Sequence, residues 1–189
     1  MPVTQLDSKC ALIVIDLQKG AMGFPFVQPI ADVIVQTRTL LDAFRDAKQT
    51  VVLVNAAGSP QGRNEMPHSD IEFPDDWTDL IPELDAQPDD VRITKYCWGA
   101  FMGTDLESKL KSTGVTNIVL AGIATSIGVE STAREAHSLG FNVTLAVDAM
   151  TDLSDEAHAS SVSRIFPQLG EVGLSQDIVD KLAARSAQP

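Results

Sequence analysis

The sequence predicts an α/β fold built on a parallel sheet, and two observations support this fold class. First, six short apolar segments rich in β-branched residues run without polar alternation, which is typical of strands buried on both faces of a parallel sheet. Second, segments of helix length with apolar residues at intervals of three or four separate these strands. Regular alternation of strands and helices predicts a parallel sheet covered by helices.

The predicted strands are short and rich in Val, Ile and Leu. Five of them have the sequences CALIVID, TVVLVN, DVRITK, NIVLAGI and NVTLAVDA, and GEVGL is a weaker sixth candidate. Their lengths, mostly about four to eight residues, are those expected of buried strands. In chain order they cover residues 10–16, 50–55, 90–95, 117–123, 142–149 and 170–174.

Five helices are predicted between and after these strands. The second starts on a Thr-x-x-Glu capping box, Thr104 to Glu107, and ends at Gly114, a typical C-terminal signal. The fourth has Ser154 as its N-cap and is expected to stop before Pro167. The predicted helices cover residues 29–49, 104–114, 126–140, 154–166 and 175–187.

Two long connections break this alternation. Residues 17–28 and 56–89 are rich in Pro and Gly and lack apolar periodicity, and long loops in compact domains are usually functional. The second connection contains Trp77 and five prolines, so we expect much of it to pack against the domain. Length and composition predict that residues 1–189 form one domain.

Composition excludes several classes of function. The formal net charge of −12 argues against nucleic-acid binding, which needs clustered Lys and Arg, and it means that an anionic substrate would need a cation placed nearby. No apolar run approaches the roughly 18 to 20 residues of a membrane span, and no signal-peptide pattern is expected at the N-terminus. The two cysteines do not form a disulfide framework, which predicts a cytoplasmic protein.

Charged residues follow two of the predicted strands. Asp16 ends the first strand and Lys95 ends the third, while the fourth runs into the stretch GIATSIGVESTAREA at residues 122–136. Ligands of open α/β sheets bind beyond the carboxyl ends of the strands, and a charge closing a buried strand is costly unless it is paired. We therefore expect a carboxylate–ammonium pair at this edge. The alternatives are that Asp16 caps a helix or anchors a loop and that Lys95 is a surface charge.

Three motifs together resemble the isochorismatase-like hydrolase superfamily, which includes nicotinamidases and related amidohydrolases. They are IVIDLQKG, ITKYCWGAFMGTDLESKL and VLAGIATSIGVESTAREAHSLGFNVTLAVDAMTD, and the resemblance extends in family order over residues 9–182. The resemblance implies a three-layer Rossmann-like fold with a six-stranded parallel sheet in the order 3-2-1-4-5-6. It also implies a single isochorismatase-like hydrolase domain that forms a homodimer or homotetramer.

The resemblance implies an Asp–Lys–Cys triad, but this chain has glycine at the position of the cysteine. Asp16 matches the proton-carrying aspartate and Lys95 the lysine that tunes it, but the cysteine falls on Gly128. The amides of Ala124 and Gly128 would form a polar cradle for an oxyanion, with a cis peptide bond between Ile123 and Ala124. Because these donors belong to the backbone, loss of the thiol does not remove them.

Glycine at position 128 excludes covalent acyl transfer from that position, because glycine has no side chain. The isochorismatases proper also carry glycine there and cleave a vinyl ether by protonation and water attack. They have an aromatic residue and a histidine where this chain has Ala124 and Ser126. We therefore expect hydrolysis, without cofactor, of an isochorismate-like vinyl ether or related compound, with Asp16 as general acid or base and Lys95 as its partner.

Other residues near these motifs are expected to contact the substrate. For Trp98 and Phe101 the alternative role is packing, and for Thr125 and Ser126 it is hydrogen bonding or capping. No metal site is expected because the three histidines are scattered along the chain, at positions 68, 137 and 158. The predicted contacts are Gln18, Phe24, Trp98, Phe101, Ala124, Thr125 and Ser126.

Two alternative functions remain open at this stage. Without the nucleophile, the chain could be a non-catalytic member of the superfamily that uses the same pocket to bind a small-molecule ligand. Cys97, two residues after Lys95, could instead act as a displaced nucleophile in an amidase. The alternative interpretation is that Cys97 is a buried structural residue.

Overall fold

A computed structural model describes residues 3–60, 62–65 and 74–186, and its centre is a six-stranded parallel sheet. The strand order β3-β2-β1-β4-β5-β6 confirms the predicted order, and every pairing is parallel. All six predicted strands are present within two residues of the expected bounds. The strands are β1 (Cys10–Ile15), β2 (Thr50–Ala56), β3 (Val91–Lys95), β4 (Asn117–Ile123), β5 (Asn142–Thr151) and β6 (Glu171–Gly173).

Helices follow the strands as the sequence predicts. Two π-helical turns, Thr125–Val129 and Ser161–Ile165, interrupt the third and fourth predicted helices. Short 3₁₀ turns, Lys19–Ala21 and Pro82–Leu84, lie in the two long connections. The α-helices are α1 (Ile30–Asp46), α2 (Leu106–Ser112), α3 (Glu130–Ser138), α4 (Asp155–Ser160), α5 (Phe166–Leu169) and α6 (Ser175–Ser186).

The helical segment that was expected to stop before Pro167 continues past it, so this boundary prediction is wrong. The π-helical turn ends at Ile165, and α5 restarts at Phe166 with Pro167 in its first turn. Proline is tolerated in a first turn because the missing N–H would have no intrahelical partner there.

The predicted capping box at Thr104 does not form. The second helix begins only at Leu106, and the Thr104 hydroxyl donates to the carbonyl of Ala100 at 2.6 Å while accepting from the Leu106 amide at 3.3 Å. The predicted N-cap of α4 is confirmed, since the Ala157 amide donates to Ser154 Oγ at 3.3 Å.

Two apolar layers, one on each face of the sheet, form the core. Successive residues of β1 alternate between them, because side chains of a strand point to opposite faces. Leu12 and Val14 pack with α1 and α6, whereas Ile13 and Ile15 pack with α2, α3 and α5. This arrangement explains why the strand sequences are continuously apolar.

None of the helices within the described residues has the length and apolar character needed to cross a bilayer.

The two long connections pack against each other where β1 ends. Gln18 forms an isolated antiparallel bridge with Leu80, and the Lys19 amide donates to the carbonyl of Asp79 at 2.8 Å. Backbone hydrogen bonds thus hold both segments beside the carboxyl end of the central strand, the position at which α/β sheets bind ligands.

Gly122 in β4 should be far less tolerant of substitution than Gly114, which follows α2. Both have positive φ angles, +111° and +75°, but a Cβ on Gly122 would lie 2.1 Å from the Ile15 carbonyl oxygen, whereas Gly114 faces open space. We expect Gly122→Ala to lower the free energy of unfolding by at least about 3 kcal/mol, from strain plus overlap. Gly114→Ala should cost only about 1–2 kcal/mol. Urea unfolding of both variants measures the difference, and equal losses would contradict the close approach of β1 and β4.

Candidate active site

Asp16 and Lys95 form a buried ion pair across the end of β2. Lys95 Nζ lies 2.7 Å from Asp16 Oδ2, and the two side chains are 3% and 17% exposed, respectively. Nζ also donates to the carbonyls of Cys97 at 3.2 Å and Trp98 at 3.0 Å. An ammonium group has three protons to donate, so these partners account for the full donor capacity of Lys95. The structure thus brings together the two charged strand-end residues that the sequence singled out.

Two opposing effects set the pKa of the Asp16 carboxyl group. Burial raises its pKa and the neighbouring Lys95 ammonium lowers it, with a net pKa of about 6. Oδ1 is buried and has no hydrogen-bond partner among the described residues. The backbone has a φ of +54°, a region in which Asp is found more often than most other non-glycine residues. This carboxyl group can therefore hold or release a proton near neutral pH.

Gly128 lies directly against this carboxylate. A Cβ at position 128 would be 3.2 Å from Asp16 Oδ2, 3.0 Å from the Ile123 carbonyl oxygen and 2.9 Å from Ile15 Cγ2. The peptide bond between Ile123 and Ala124 is cis, as the resemblance implied, and the π-helical turn 125–129 follows it. The three positions of the implied triad therefore meet at one point.

The loop that carries Gly128 is held by residues outside the triad. The buried Asp152 carboxylate accepts from the Ser126 amide at 2.6 Å and from the Leu153 amide at 2.7 Å. Thr125 Oγ1 lies 2.9 Å from Nδ1 of the partly buried His158, and burial lowers the pKa of that imidazole. Thr125 and Ser126 thus form hydrogen bonds within the protein, which is the alternative role that the sequence analysis gave them.

A small cavity of about 180 Å³ opens beside the ion pair. Of the predicted substrate contacts, Gln18, Phe24 and Ala124 line it, together with Asp16 and Gly128. The remaining walls are aromatic or aliphatic. They are formed by Ala21, Phe26, Ala56, Trp77, Ile123, Ile127 and Leu153.

Gln18 lines the cavity, but its polar atoms bond to the protein. Its Nε2 donates to the carbonyls of Ala56 and Trp77, both at 3.0 Å, and its Oε1 accepts from the Ala56 amide at 2.7 Å. The side chain is only 2% exposed. Gln18 therefore fixes the wall between β2 and the second long connection.

Trp98 and Phe101 are not among the residues that line this cavity. Trp98 is 57% exposed and contributes its backbone carbonyl to Lys95. Phe101 is buried and packs against Phe141, with ring centroids 5.7 Å apart. Their nearness to Lys95 in sequence suggested a contact role, but the Trp98 side chain is exposed and that of Phe101 packs in the core. Cys97 is also absent from the lining residues.

Sequence reasoning missed Phe26, Leu153 and the role of Trp77 at the cavity. Phe24 meets the rings of Phe26 and Trp77 edge to face, with centroids 6.3 Å and 6.2 Å apart. Their signal was weak, since aromatic residues in aperiodic connections predict packing as readily as binding. The role of Asp152 had a clearer signal, because an acidic residue directly after an apolar strand is the feature that identified Asp16.

The described residues contain no group of three His, Cys, Asp or Glu side chains arranged to hold a metal ion. His137 bonds through Nδ1 to the Leu169 carbonyl at 3.2 Å, and His158 bonds to Thr125. His68 lies outside the described residues.

Comparison with known proteins gives matches over nearly the whole chain. A family model described as the isochorismatase domain matches residues 10–177. The isochorismatase family protein YecD of Escherichia coli is 40% identical over 186 residues, which cover 94% of this chain and 99% of the relative. YwoC of Bacillus subtilis is 38% identical, covering 92% and 94%. The structure of an isochorismatase family protein from Burkholderia thailandensis is 40% identical and superposes with a TM-score of 0.90, covering 95% of this chain and 98% of the other.

Replacing Lys95 should change the acidity of Asp16. We expect Lys95→Met to raise the Asp16 pKa above about 6, because the ammonium that favours the carboxylate is lost while burial remains. A pH titration of the Asp16 carboxyl carbon by NMR measures this shift. Lys109→Met, which removes an exposed ammonium on α2, is the matched control. An unchanged or lowered pKa in Lys95→Met would show that the pair does not set the proton affinity.

Proposed function

This chain belongs to the isochorismatase family, and from that premise we propose that it hydrolyses a small molecule by acid–base chemistry without a covalent cysteine intermediate. The proposed substrate is an isochorismate-like vinyl ether or a related compound, and no cofactor takes part. Asp16 is the general acid, Lys95 its electrostatic partner, and the amides of Ala124 and Gly128 the polar cradle. The observation that carries the proposal is the buried Asp16 carboxyl, which has a pKa of about 6 and an unpartnered Oδ1 in a residue that lines the cavity.

The proposed reaction begins with proton transfer from Asp16. The protonated carboxyl gives its proton to the terminal vinyl carbon, and the ether carbon becomes an oxocarbenium ion beside the new carboxylate. Water attacks that carbon and returns one proton to Asp16, which yields a hemiketal or hemiacetal. Collapse of this intermediate releases an alcohol and a carbonyl compound, so the net reaction consumes one water and regenerates the acid.

Lys95 supports both halves of this cycle. Its ammonium stabilises the Asp16 carboxylate that forms after proton transfer, and the same attraction keeps the pKa from rising further through burial. The carbonyls of Cys97 and Trp98 hold Nζ in place while the carboxyl changes protonation state. Lys95 therefore acts as a fixed charge, and Asp16 is the group that exchanges protons.

The absence of a side chain at position 128 supports the same proposal. A Cβ there would lie 3.2 Å from Asp16 Oδ2, so glycine keeps the carboxyl accessible from the cavity. Cys97, the candidate for a displaced nucleophile, does not line the cavity, and its carbonyl binds Lys95. These contacts favour acid–base hydrolysis over an amidase that uses Cys97.

We also propose that the protein is a cytoplasmic homodimer or homotetramer. Support comes from the side chains that follow β3, because Tyr96, Trp98 and Met102 are 62%, 57% and 64% exposed. Neighbouring exposed apolar residues often mark a surface for association. The two cysteines are free, which fits a reducing compartment.

Asp16→Asn should lower kcat/KM on a true substrate by at least about a hundredfold, because general acid catalysis contributes that much or more.

The wild-type kcat/KM should be constant below the pKa of about 6 and fall about tenfold per pH unit above it, since the protonated carboxyl is the reactive form. Product-resolved assays across pH measure both effects. Asp42→Asn, on the exposed face of α1, is the control. Full activity of Asp16→Asn would overturn the mechanism, and a ligand that both proteins bind but neither converts would favour a binding protein.

Gly128→Cys should introduce amidase activity, because the new thiol would lie at the start of a helix beside Asp16 and the amide cradle. Gly128→Ala is the matched control, since it adds the same Cβ with the same close contacts but no nucleophile. Release of p-nitroaniline from p-nitroacetanilide measures turnover, and mass spectrometry detects an acetyl group on the protein. Equal activity of the two variants would argue against a functional cradle at Ala124 and Gly128.

A further inference from the structure

Among the described residues, none that lines the cavity beside Asp16 is Lys, Arg or His, so this lining offers no cation to an anionic substrate. The ammonium of Lys95 is already bonded to Asp16 and to two carbonyls. Lys19, in the connection that contributes Phe24, pairs with Asp76 at 3.2 Å and Asp79 at 3.0 Å. A substrate carboxylate would therefore enter a site whose nearby ammonium groups already have partners.

The electrostatic cost of such a carboxylate would be large. Moving an ion out of water into a low-dielectric site costs several kcal/mol unless a partner compensates. Asp16, the ionisable residue among the described ones that line the cavity, is already paired with Lys95 and offers no positive charge, and the chain as a whole has a net charge of −12. That net charge repels an anion. The walls therefore select for an uncharged molecule.

The volume of the cavity sets the size of the group that it can hold. An apolar protein cavity of about 150 Å³ accommodates benzene, and this cavity measures about 180 Å³. It thus matches one six-membered ring with a short substituent. Phe24 and Trp77 offer ring edges and faces on one side, and Ile127 and Leu153 offer aliphatic surface. This shape favours a flat apolar ring.

Gly20 sets the position of the Trp77 wall. A Cβ on Gly20 would lie 2.2 Å from Trp77 Cδ2 and 2.3 Å from Cε3, so only glycine lets the indole pack against this turn. The Trp77 carbonyl is held by Gln18, and its indole meets Phe24 edge to face. The indole is therefore fixed from two sides and limits how large a substrate can be.

We propose that this site takes an uncharged, apolar substrate no larger than one ring with a short substituent, and that Trp77, packed on Gly20, sets the size limit. The inference rests on the proposed function for the identity of the site, but it concerns what binds there and not how a bond is broken. It separates this chain from an enzyme whose substrate carries carboxylates, because such a substrate would need a free cation in the cavity.

Binding of two isosteric probes tests the charge selectivity without any turnover. Acetophenone and benzoate have the same ring and nearly the same size, but only benzoate is charged. At pH 8, where Asp16 is ionised, acetophenone should bind on the order of tenfold or more tightly than benzoate, since an uncompensated anion costs several kcal/mol. Ligand-observed NMR measures both dissociation constants. Equal or tighter binding of benzoate, or no binding of either probe, would overturn the proposal.

Two variants test which residues set the selectivity. Leu153 lines the cavity and is 45% exposed, so an arginine is tolerated there, and Leu153→Arg should strengthen benzoate binding relative to acetophenone binding. Trp77→Ala should admit 2-acetonaphthone, which wild type excludes. Val35→Ala, at an exposed position of α1, is the control for both. Failure of Trp77→Ala to bind the larger ketone in a folded variant would remove Trp77 as the size limit.

Turnover of matched vinyl ethers separates this inference from the proposed reaction. Phenyl vinyl ether is uncharged and would give phenol and acetaldehyde, whereas 4-vinyloxybenzoate carries a carboxylate on the same ring. Hydrolysis of both at equal kcat/KM would overturn the substrate class and leave the acid–base mechanism standing. Selective binding of acetophenone with no hydrolysis of either ether would support the substrate class and count against the mechanism.

Discussion

The ion pair between Asp16 and Lys95 links the ends of β1 and β3 across β2, and the surrounding site depends on it. Removing either partner would leave an uncompensated charge in a buried setting, which is strongly destabilising. The carbonyls of Cys97 and Trp98 complete the shell around Nζ and fix the course of the chain after β3. The apolar walls that bury the pair also raise the Asp16 pKa to about 6. One interaction therefore connects the sheet, the loop after β3 and the proton affinity of the site.

The apolar walls of the cavity have two consequences that share a cause. Low polarity around Asp16 makes its neutral form accessible near pH 6, and the same low polarity penalises a charged substrate. A cation added to the cavity to hold an anion would also lower the pKa of Asp16, so less of its protonated, reactive form would be present near neutral pH. The same apolar side chains can therefore favour both proton donation by Asp16 and the binding of an uncharged substrate. Glycine at position 128 fits both, because it adds neither charge nor a nucleophile beside the carboxyl.

Much of the fold and the centre of the site could be predicted from local sequence signals. The strands were identified by their continuous apolar runs, and Asp16 and Lys95 by the cost of placing a charge at the end of such a run. The walls of the cavity were harder to predict, because Phe26 and Trp77 lie in connections with no periodicity. Phe101 is the opposite case, a residue predicted to contact substrate that does not line the cavity. Its position near Lys95 in sequence suggested substrate contact, whereas the turn after β3 carries it into the core against Phe141.

The sequence by itself determined the order and type of the elements, the absence of a side-chain nucleophile at Gly128 and the two charges at the strand ends. These features are local, since they depend on residue type and spacing along one segment. The tertiary structure decided the 2.7 Å pairing of Asp16 with Lys95, the Asp152 contact that holds the loop, and the packing of Trp77 on Gly20. Each of these joins residues at least 26 positions apart in the sequence. Such distances are fixed only when the strands align and the connections fold over their ends.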